Sequence, residues 1–294
     1  MRLPRNNARA GLTLIELIVV MALIVLIVAL AYFALPNFQN RNSVTDGADR
    51  ISSWLLIAKQ RAKRDQIPTG VRLFPDSNNV VRELQYIQTP DHFNGGVIFS
   101  PNPNNLAMIQ GNGVDFRGGY PDNRLWPVQN GDYLEIKGGG LVHQIIDVQT
   151  SQLTLKNPVP YPVQQPGTAE YRVIRLPRVL NGEAPLELAD DIVIDLDTNS
   201  HFNNPLPRAN QDGTVDLVFS PAGNLLDNTG GLNGYICLWV RDSSKDWDRF
   251  VNIRDGGDIL IAIQKKTGFI ASHPPDPNGA NPYTFATDGR SSGL

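Results

Sequence analysis

GLTLIELIVVMALIVLIVALAYFAL, residues 11–35, is the stretch that decides how the rest of the chain is organised. Its last 19 residues, Leu17–Leu35, carry no charged side chain. As an α-helix they would span ~28 Å at ~1.5 Å per residue, which is close to the ~30 Å hydrocarbon core of a bilayer. The stretch therefore predicts a helix that crosses a membrane.

The charges that flank this stretch are uneven. Arg2, Arg5 and Arg9 precede it without any acidic residue, whereas the ten residues after it carry only Arg41. Cytoplasmic flanks of membrane helices are enriched in Lys and Arg, so the positive-inside rule places the N-terminus in the cytoplasm. The residues after the span are then expected on the other side of the membrane.

Two interpretations fit this N-terminal segment. The first is a cleaved secretory signal, with Ala29, Leu30 and Ala31 as the cleavage site. It leaves Glu16 unexplained, because a carboxylate at the edge of an apolar run is costly and is usually retained for a partner. The second interpretation gives Glu16 a role.

The sequence from Gly11 to Glu16 resembles the processing motif of type IV prepilins and pseudopilins. In that family a short leader is cleaved after the glycine, the new first residue is N-methylated, and a glutamate stands fifth in the mature chain. The resemblance implies a leader of residues 1–11, N-methylation at Leu12 and an assembly role for Glu16. Leu12 departs from the phenylalanine that the family carries more often.

The resemblance also implies partners and a location. Glu16 of one subunit would pair with the Leu12 amine of a neighbour as a filament leaves the bilayer; alternatively, its carboxylate only reaches the membrane surface. The implied partners are the prepilin peptidase, other pilin or pseudopilin subunits and the inner membrane. The chain would be a single-pass protein of the bacterial inner membrane, with its globular domain in the periplasm or outside, and would enter a filament after assembly.

The helical pattern continues beyond Pro36, which is expected to kink or restart the helix because its ring removes a backbone donor. Apolar residues then recur at the three- and four-residue intervals of one helical face: Val44, Ala48, Ile51, Leu55, Ala58 and Ala62. We expect this stripe to pack on a sheet and the helix to occupy residues 12–65. Near its end lies a basic cluster, which we define as Lys59, Arg61, Lys63 and Arg64. It predicts a solvated helix end, where cations are favoured, or alternatively a surface for acidic neighbours or nucleic acid.

From residue 66 onward the pattern changes to short β-branched or aromatic runs, most of them separated by turn residues such as Asn-Gly and Asp-Gly. The predicted strands are Gly70–Phe74, Val80–Ile87, Asp132–Lys137, Val142–Val148, Leu153–Leu155, Glu170–Leu176, Ile192–Leu196, Thr214–Ser220, Tyr235–Arg241 and Ile259–Gln264. They predict an α+β fold, in which a long N-terminal helix, first transmembrane and then amphipathic, packs on a mostly antiparallel β-sheet.

The strands divide into two groups. Residues 66–121 and 177–272 are expected to form a pilin-like β domain. Residues 122–176 are expected to form an inserted small β module, and a barrel-like arrangement of its strands would fit the pattern. The exposed surface of this module is expected to carry what is particular to the protein. Residues 273–294, rich in Pro, Asn, Gly and Asp, predict a flexible C-terminal tail.

Parts of the chain resemble one branch of the family more closely, the H-type minor pseudopilins of type II secretion and the related minor type IV pilins. The similar pieces are residues 55–62 leading into 71–73, residues 218–224, and residues 259–263 with 267–270. The resemblance implies a structural minor pseudopilin or minor pilin, assembled into a type II secretion pseudopilus or a type IV pilus.

Motifs of catalytic chemistry are missing from the sequence. The four histidines, His92, His143, His201 and His273, are isolated from one another, and neither a nucleophile elbow nor a phosphate-binding loop is present. Cys237 lies within an apolar strand, which predicts a buried structural thiol. We therefore expect no enzymatic activity and no cofactor.

An incomplete calcium pattern is the one candidate metal site. Asp195, Asp197 and Asn199 match positions one, three and five of a calcium-binding loop. Position six is Ser200 instead of glycine, and position twelve is Leu206 instead of a bidentate glutamate. The alternative interpretation is a strand end with solvated carboxylates, and no metal site is expected.

The charge balance bears on the remaining function classes. A formal net charge of -3 argues against nucleic acid as a partner. DNA uptake would depend on a local patch such as the basic cluster. A second hypothesis is an exported or membrane-anchored binding protein, for which the N-terminus acts only as a signal or anchor.

Overall fold

The computed structural model describes residues 14–102, 104–137, 140–160, 163, 170–196, 209–210, 212–226, 234–244, 257–277 and 281–288, and only the backbone of residues 30–42. Its elements form an α+β architecture in which helix α1 packs on one of two antiparallel sheets. The fold class therefore agrees with the sequence pattern.

Helix α1 is the 52-residue element Leu14–Asp65, and it continues through Pro36 as one helix. Its apolar stripe is confirmed, because all six stripe residues from Val44 to Ala62 are at most 1% exposed. They share one core with the inner face of the first sheet. Trp54 adds a stacked contact with Tyr86, with ring centroids 4.1 Å apart.

The strands in chain order are β1 (Thr69–Pro75), β2 (Val80–Gln88), β3 (Val97–Phe99), β4 (Met108–Asn112), β5 (Tyr133–Ile136), β6 (Val142–Val148), β7 (Gln152–Leu155), β8 (Tyr171–Ile174), β9 (Arg178–Val179), β10 (Leu186–Glu187), β11 (Ile192–Asp195), β12 (Val215–Phe219), β13 (Tyr235–Asp242), β14 (Ile259–Gln264) and β15 (Ile270–His273). The first sheet has the order β12-β1-β2-β11-β13-β14-β15, and β9 and β10 also pair with β2. All of its pairings are antiparallel.

The second sheet has the order β3-β4-β7-β6-β5-β8 and a hydrophobic core of its own. A backbone bridge between Phe93 and Val173 brings the segment before β3 against β8 at the other edge. Strands β3 and β4 lie before residue 122, so this sheet begins earlier along the chain than the predicted module boundary. The reason is burial, since Ile98 and Ile109 are fully buried in the second core.

The described part of the C-terminal segment differs from the flexible tail that its composition predicts. Residues Thr284–Asp288 form a short helix, α2. Tyr283 is 4% exposed and meets the Trp239 ring edge-on, with centroids 6.0 Å apart. Strands β13 and β14 bury apolar residues on both faces, and this contact covers the face turned away from α1.

Residues 30–35 of the predicted membrane span lie outside the residues whose side chains the structure describes. Within the described part of the chain, no helix combines the length and the apolarity that a membrane crossing requires.

Candidate functional site

The processing motif is described only in part. Gly11 and Leu12 lie outside the described residues, whereas Glu16 lies in the first turn of α1. A carboxylate is favoured at this position, because the first backbone N–H groups of a helix carry partial positive charge. Glu16 is exposed, and so its carboxylate is at the surface of the chain.

The helix segment next to Glu16 is apolar and exposed. We define the apolar helix segment as residues 14–28; each of its Leu, Ile, Val and Met side chains is 50% or more exposed. Folded proteins rarely leave so large a contiguous apolar surface in water, and such a patch marks a contact with protein or lipid. One helix therefore has two differing parts: a C-terminal part with a stripe packed on the first sheet, and residues 14–28, whose apolar side chains are exposed.

Two residues of the basic cluster, Lys59 and Arg61, contact the rest of the globular part, whereas the pattern predicted a solvated helix end. Lys59 donates a hydrogen bond from Nζ to the carbonyl oxygen of Gly268 at 2.8 Å. Arg61 pairs with Glu183 at 2.8 Å, and its guanidinium lies 4.5 Å from the centre of the Tyr86 ring. The pKa of Lys59 is lowered, mainly by burial and to a smaller extent by the charge of Lys63. Within the basic cluster, the predicted solvated helix end is thus limited to the exposed residues Lys63 and Arg64.

Two turns that contain glycine, at Gly223 and Gly268, lie next to the side chain of Lys59. Gly268 has a φ of +59°, and a Cβ built there would lie 2.0 Å from the carbonyl oxygen of Gly223. Gly223, at a φ of +90°, has the side chains of Lys59 and Lys63 within 3.4 Å of such a Cβ position. The two turns therefore leave no room for a Cβ at Gly268, next to the end of α1.

The variant Gly268→Ala is expected to lower the free energy of unfolding by more than the ~1–3 kcal/mol of a strained φ alone, because its Cβ also meets the Gly223 carbonyl. Gly213→Ala is the matched control, since Gly213 has a φ of +82° with open space around it. Chemical denaturation of both variants measures the difference. Equal losses in the two variants would show that the contact between the turns contributes nothing.

The calcium pattern is only partly described, because Asp197 and Asn199 lie outside the described residues. Asp195 is 4% exposed, and its Oδ2 accepts a hydrogen bond from Arg241 Nε at 2.6 Å. No group of three or more His, Cys, Asp or Glu side chains that could hold a metal occurs among the described residues. The described part of this pattern is therefore an ion pair between β11 and β13.

A buried carboxylate where the two sheets meet was missed by the sequence pattern. Asp132 is 1% exposed, and it accepts hydrogen bonds from the backbone N–H groups of Gln129 and Leu176 and from Arg178 Nη2. Burial raises the pKa of Asp132, while these bonds act in the opposite direction. The contacts tie the start of β5 to β9 of the first sheet.

Arg178 completes this junction. Its guanidinium donates to the carbonyl oxygens of Trp126 at 2.7 Å and Pro127 at 3.1 Å. Arg72 makes a second link, pairing with Asp216 at 2.6 Å and donating to the carbonyl oxygen of Pro177 at 3.0 Å. The sequence signal was a turn at Asn130 and Gly131, which indicated the strand start but not the ion pair.

The remaining candidate groups are dispersed. Burial raises the pKa of the Cys237 thiol to about 12, which keeps the reactive thiolate scarce at neutral pH. His143 is buried and contacts the carbonyl oxygen of Asn157, His92 is exposed, and His201 lies outside the described residues. Burial lowers the pKa of His273. The structure does not bring together those of these groups that it describes.

Comparison with known proteins identifies the N-terminal part of the chain. The family model described as the prokaryotic N-terminal methylation motif matches residues 6–32, which supports the type IV pilin and pseudopilin family. No curated protein and no solved structure matches the chain. The match covers residues 6–11 of the predicted leader, Glu16 and most of the predicted span, and it stops before the globular part.

Proposed function

We propose that the chain carrying this methylation motif is a structural subunit of a type IV pilus or of a type II secretion pseudopilus. The observation that carries the proposal is the match at residues 6–32. The exposed apolar helix segment supports it, because a filament subunit needs such a surface for its neighbours and, before assembly, for lipid. The other half of the same helix holds the globular part.

The proposed maturation follows from the motif. The prepilin peptidase cleaves after Gly11, and the new amine at Leu12 is methylated. Residues 17–35 hold the chain in the bacterial inner membrane with its N-terminus in the cytoplasm, and the globular part lies in the periplasm or outside. On assembly, Glu16 pairs with the Leu12 amine of a neighbouring subunit, because a cation and a carboxylate at the membrane edge are each poorly solvated alone.

The finer form of the proposal is a minor subunit of the H type, acting without enzymatic activity or cofactor. Its support is the resemblance of residues 55–62, 218–224 and 259–263 to that branch. We interpret the second sheet as a module inserted into the pilin-like domain. A separate hydrophobic core lets such a module vary its surface without disturbing the packing of α1.

An exported or anchored binding protein is the second candidate. The second sheet favours it, because a unit with its own core can present a binding surface whatever the N-terminus does. In this case residues 1–31 act only as a signal, or the span acts only as an anchor.

The intact mass of the chain purified from its membrane tests the proposal. We expect a mature N-terminus at N-methylated Leu12, whereas a cleaved secretory signal would leave Tyr32 as the first residue. A Gly11→Val variant is the control, since blocking the cleavage point should leave the leader attached. A wild-type chain that begins at Tyr32, or that keeps its leader, would contradict the proposed function.

A further inference from the structure

A pocket of about 280 Å³ opens on the second sheet, where β5 and β8 pair. It is lined by residues of both strands, of their ends and of the segment before β3: Asn94, Glu135, Lys137, Glu170, Tyr171 and Arg172. The volume lies near the lower end of the ~300–1,000 Å³ that is typical of small-molecule sites. The pocket therefore has room for a small ligand or for one unit of a longer one.

The backbone on both sides of Asn94 is anchored to β8. Phe93 and Val173 each donate an N–H to the carbonyl oxygen of the other, at 3.0 and 2.7 Å. The Tyr171 hydroxyl donates to the carbonyl oxygen of Gly95 and accepts from its N–H at 3.4 Å. The exposed amide of Asn94 is thus presented to the pocket from a fixed position.

Two ion pairs balance the charge of the lining. Arg172 Nε donates to Glu135 Oε2 at 2.7 Å, and Lys137 Nζ donates to Glu170. The lining therefore has two carboxylates and two cations. A ligand with a net charge of either sign would meet a like charge here, so the lining favours a neutral ligand.

Several polar atoms of the pocket have free hydrogen-bonding capacity. Among the described residues, no partner is found for the Asn94 amide, for Arg172 Nη1 and Nη2, or for Glu135 Oε1. The amide and the guanidinium supply N–H donors, whereas the carboxylate accepts. Donors and an acceptor side by side fit a hydroxyl group, since a hydroxyl both donates and accepts.

An apolar surface adjoins the pocket on the side of β6. Val142 pairs with Glu135 across the two strands, so their side chains lie on the same face of the sheet. Val142 is 53% exposed, and Leu141 next to it is 56% exposed. A ligand with hydroxyl groups at its edge and C–H groups on its faces would use both the polar and the apolar surface.

We propose that this pocket binds a neutral saccharide. Hydroxyl groups of one sugar ring accept from Arg172 and Asn94 and donate to Glu135. The rim is open, because the side chains of Lys137 and Glu170 are each 71% exposed, and further rings of an oligosaccharide can extend over it. This inference goes beyond the proposed filament role and holds whether or not the N-terminus is processed.

Isothermal titration calorimetry of the full-length chain tests the proposal, in a detergent whose headgroup is not a sugar. The neutral probes are cellotriose, maltotriose and triacetylchitotriose, and the charged probes are trigalacturonate and unacetylated chitotriose. At least one neutral probe is expected to bind. Both charged probes should bind at least about tenfold more weakly than the best neutral one, because the balanced lining compensates neither charge.

The variants Arg172→Ala and Asn94→Ala are each expected to weaken binding of the best probe at least about tenfold, since each removes donors to its hydroxyl groups. Arg124→Ala is the matched control, because Arg124 belongs to an exposed ion pair with Asp122 outside the pocket. Chemical denaturation checks that the three variants are folded, as substitutions of exposed groups allow. The inference is overturned if no neutral probe binds, if a charged probe binds as tightly, or if both pocket variants bind like Arg124→Ala.

Discussion

Replacing Glu16 with leucine is expected to reduce incorporation of the chain into filaments at least about tenfold, equivalent to ~1.4 kcal/mol of lost interaction. The physical reason is the positive charge of the Leu12 amine on the neighbouring subunit. In the proposed filament the Leu12 amine of the next subunit loses its water as the helices pack, and leucine offers it no carboxylate. Comparing the variant in purified filaments with the variant in membranes measures the effect.

Two controls separate assembly from processing. Glu16→Asp keeps the charge on a shorter side chain and is expected to retain part of the incorporation. The intact mass of Glu16→Leu shows whether its leader is still removed, so that an unprocessed chain is not mistaken for an assembly defect. If Glu16→Leu enters filaments as well as wild type while processed normally, Glu16 has no pairing role.

The packed half of α1 could be predicted from the sequence because its pattern is local. Val44, Ile51 and Leu55 repeat at helical spacing, and any helix with such a stripe must bury it. Strands β6 and β14 match their predicted bounds for the same reason, since β-branched runs between turn residues need no distant information. The resemblance of the N-terminus to the methylation motif could likewise be predicted, because the motif is contiguous, and the family model matches it at residues 6–32.

What the sequence did not reveal depends on residues far apart in the chain. Strand β3, Val97–Phe99, is too short to show a strand period, and it is defined by its pairing with β4. Tyr283 stands in a segment with the composition of a tail, and only the fold brings it to Trp239. The polar run of residues 273–294 therefore predicted a tail, whereas Thr284–Asp288 within it form a short packed helix.

The Asp132→Ala variant is expected to lower the free energy of unfolding by about 3–5 kcal/mol, the range found when one partner of a buried ion pair is removed. Alanine would leave the buried N–H groups of Gln129 and Leu176 without an acceptor and Arg178 without its carboxylate. Chemical denaturation of the full-length chain measures the loss. Asp122→Ala is the control for a solvated carboxylate, which should cost about 1 kcal/mol or less.

The Asp132→Asn variant separates the hydrogen bonds from the charge. Asparagine keeps one side-chain oxygen to accept from the backbone, so its loss of stability should be smaller than that of alanine. Asparagine cannot titrate, whereas Asp132 can. Because burial raises the pKa of Asp132, the folded chain keeps the proton of this carboxyl group to a higher pH than the unfolded chain does. The contribution of Asp132 is complete below its unfolded pKa and is lost as pH rises through its folded pKa.

The stability of wild type relative to Asp132→Asn should accordingly fall with rising pH across that window, and denaturation midpoints at several pH values measure it. The opposite slope would mean that the ion pair with Arg178 outweighs burial. In that case the junction between the sheets would be held by charge, and its strength would grow as the carboxylate ionises. A falling slope instead assigns the junction to the hydrogen bonds of Asp132, which persist when its carboxyl group is neutral.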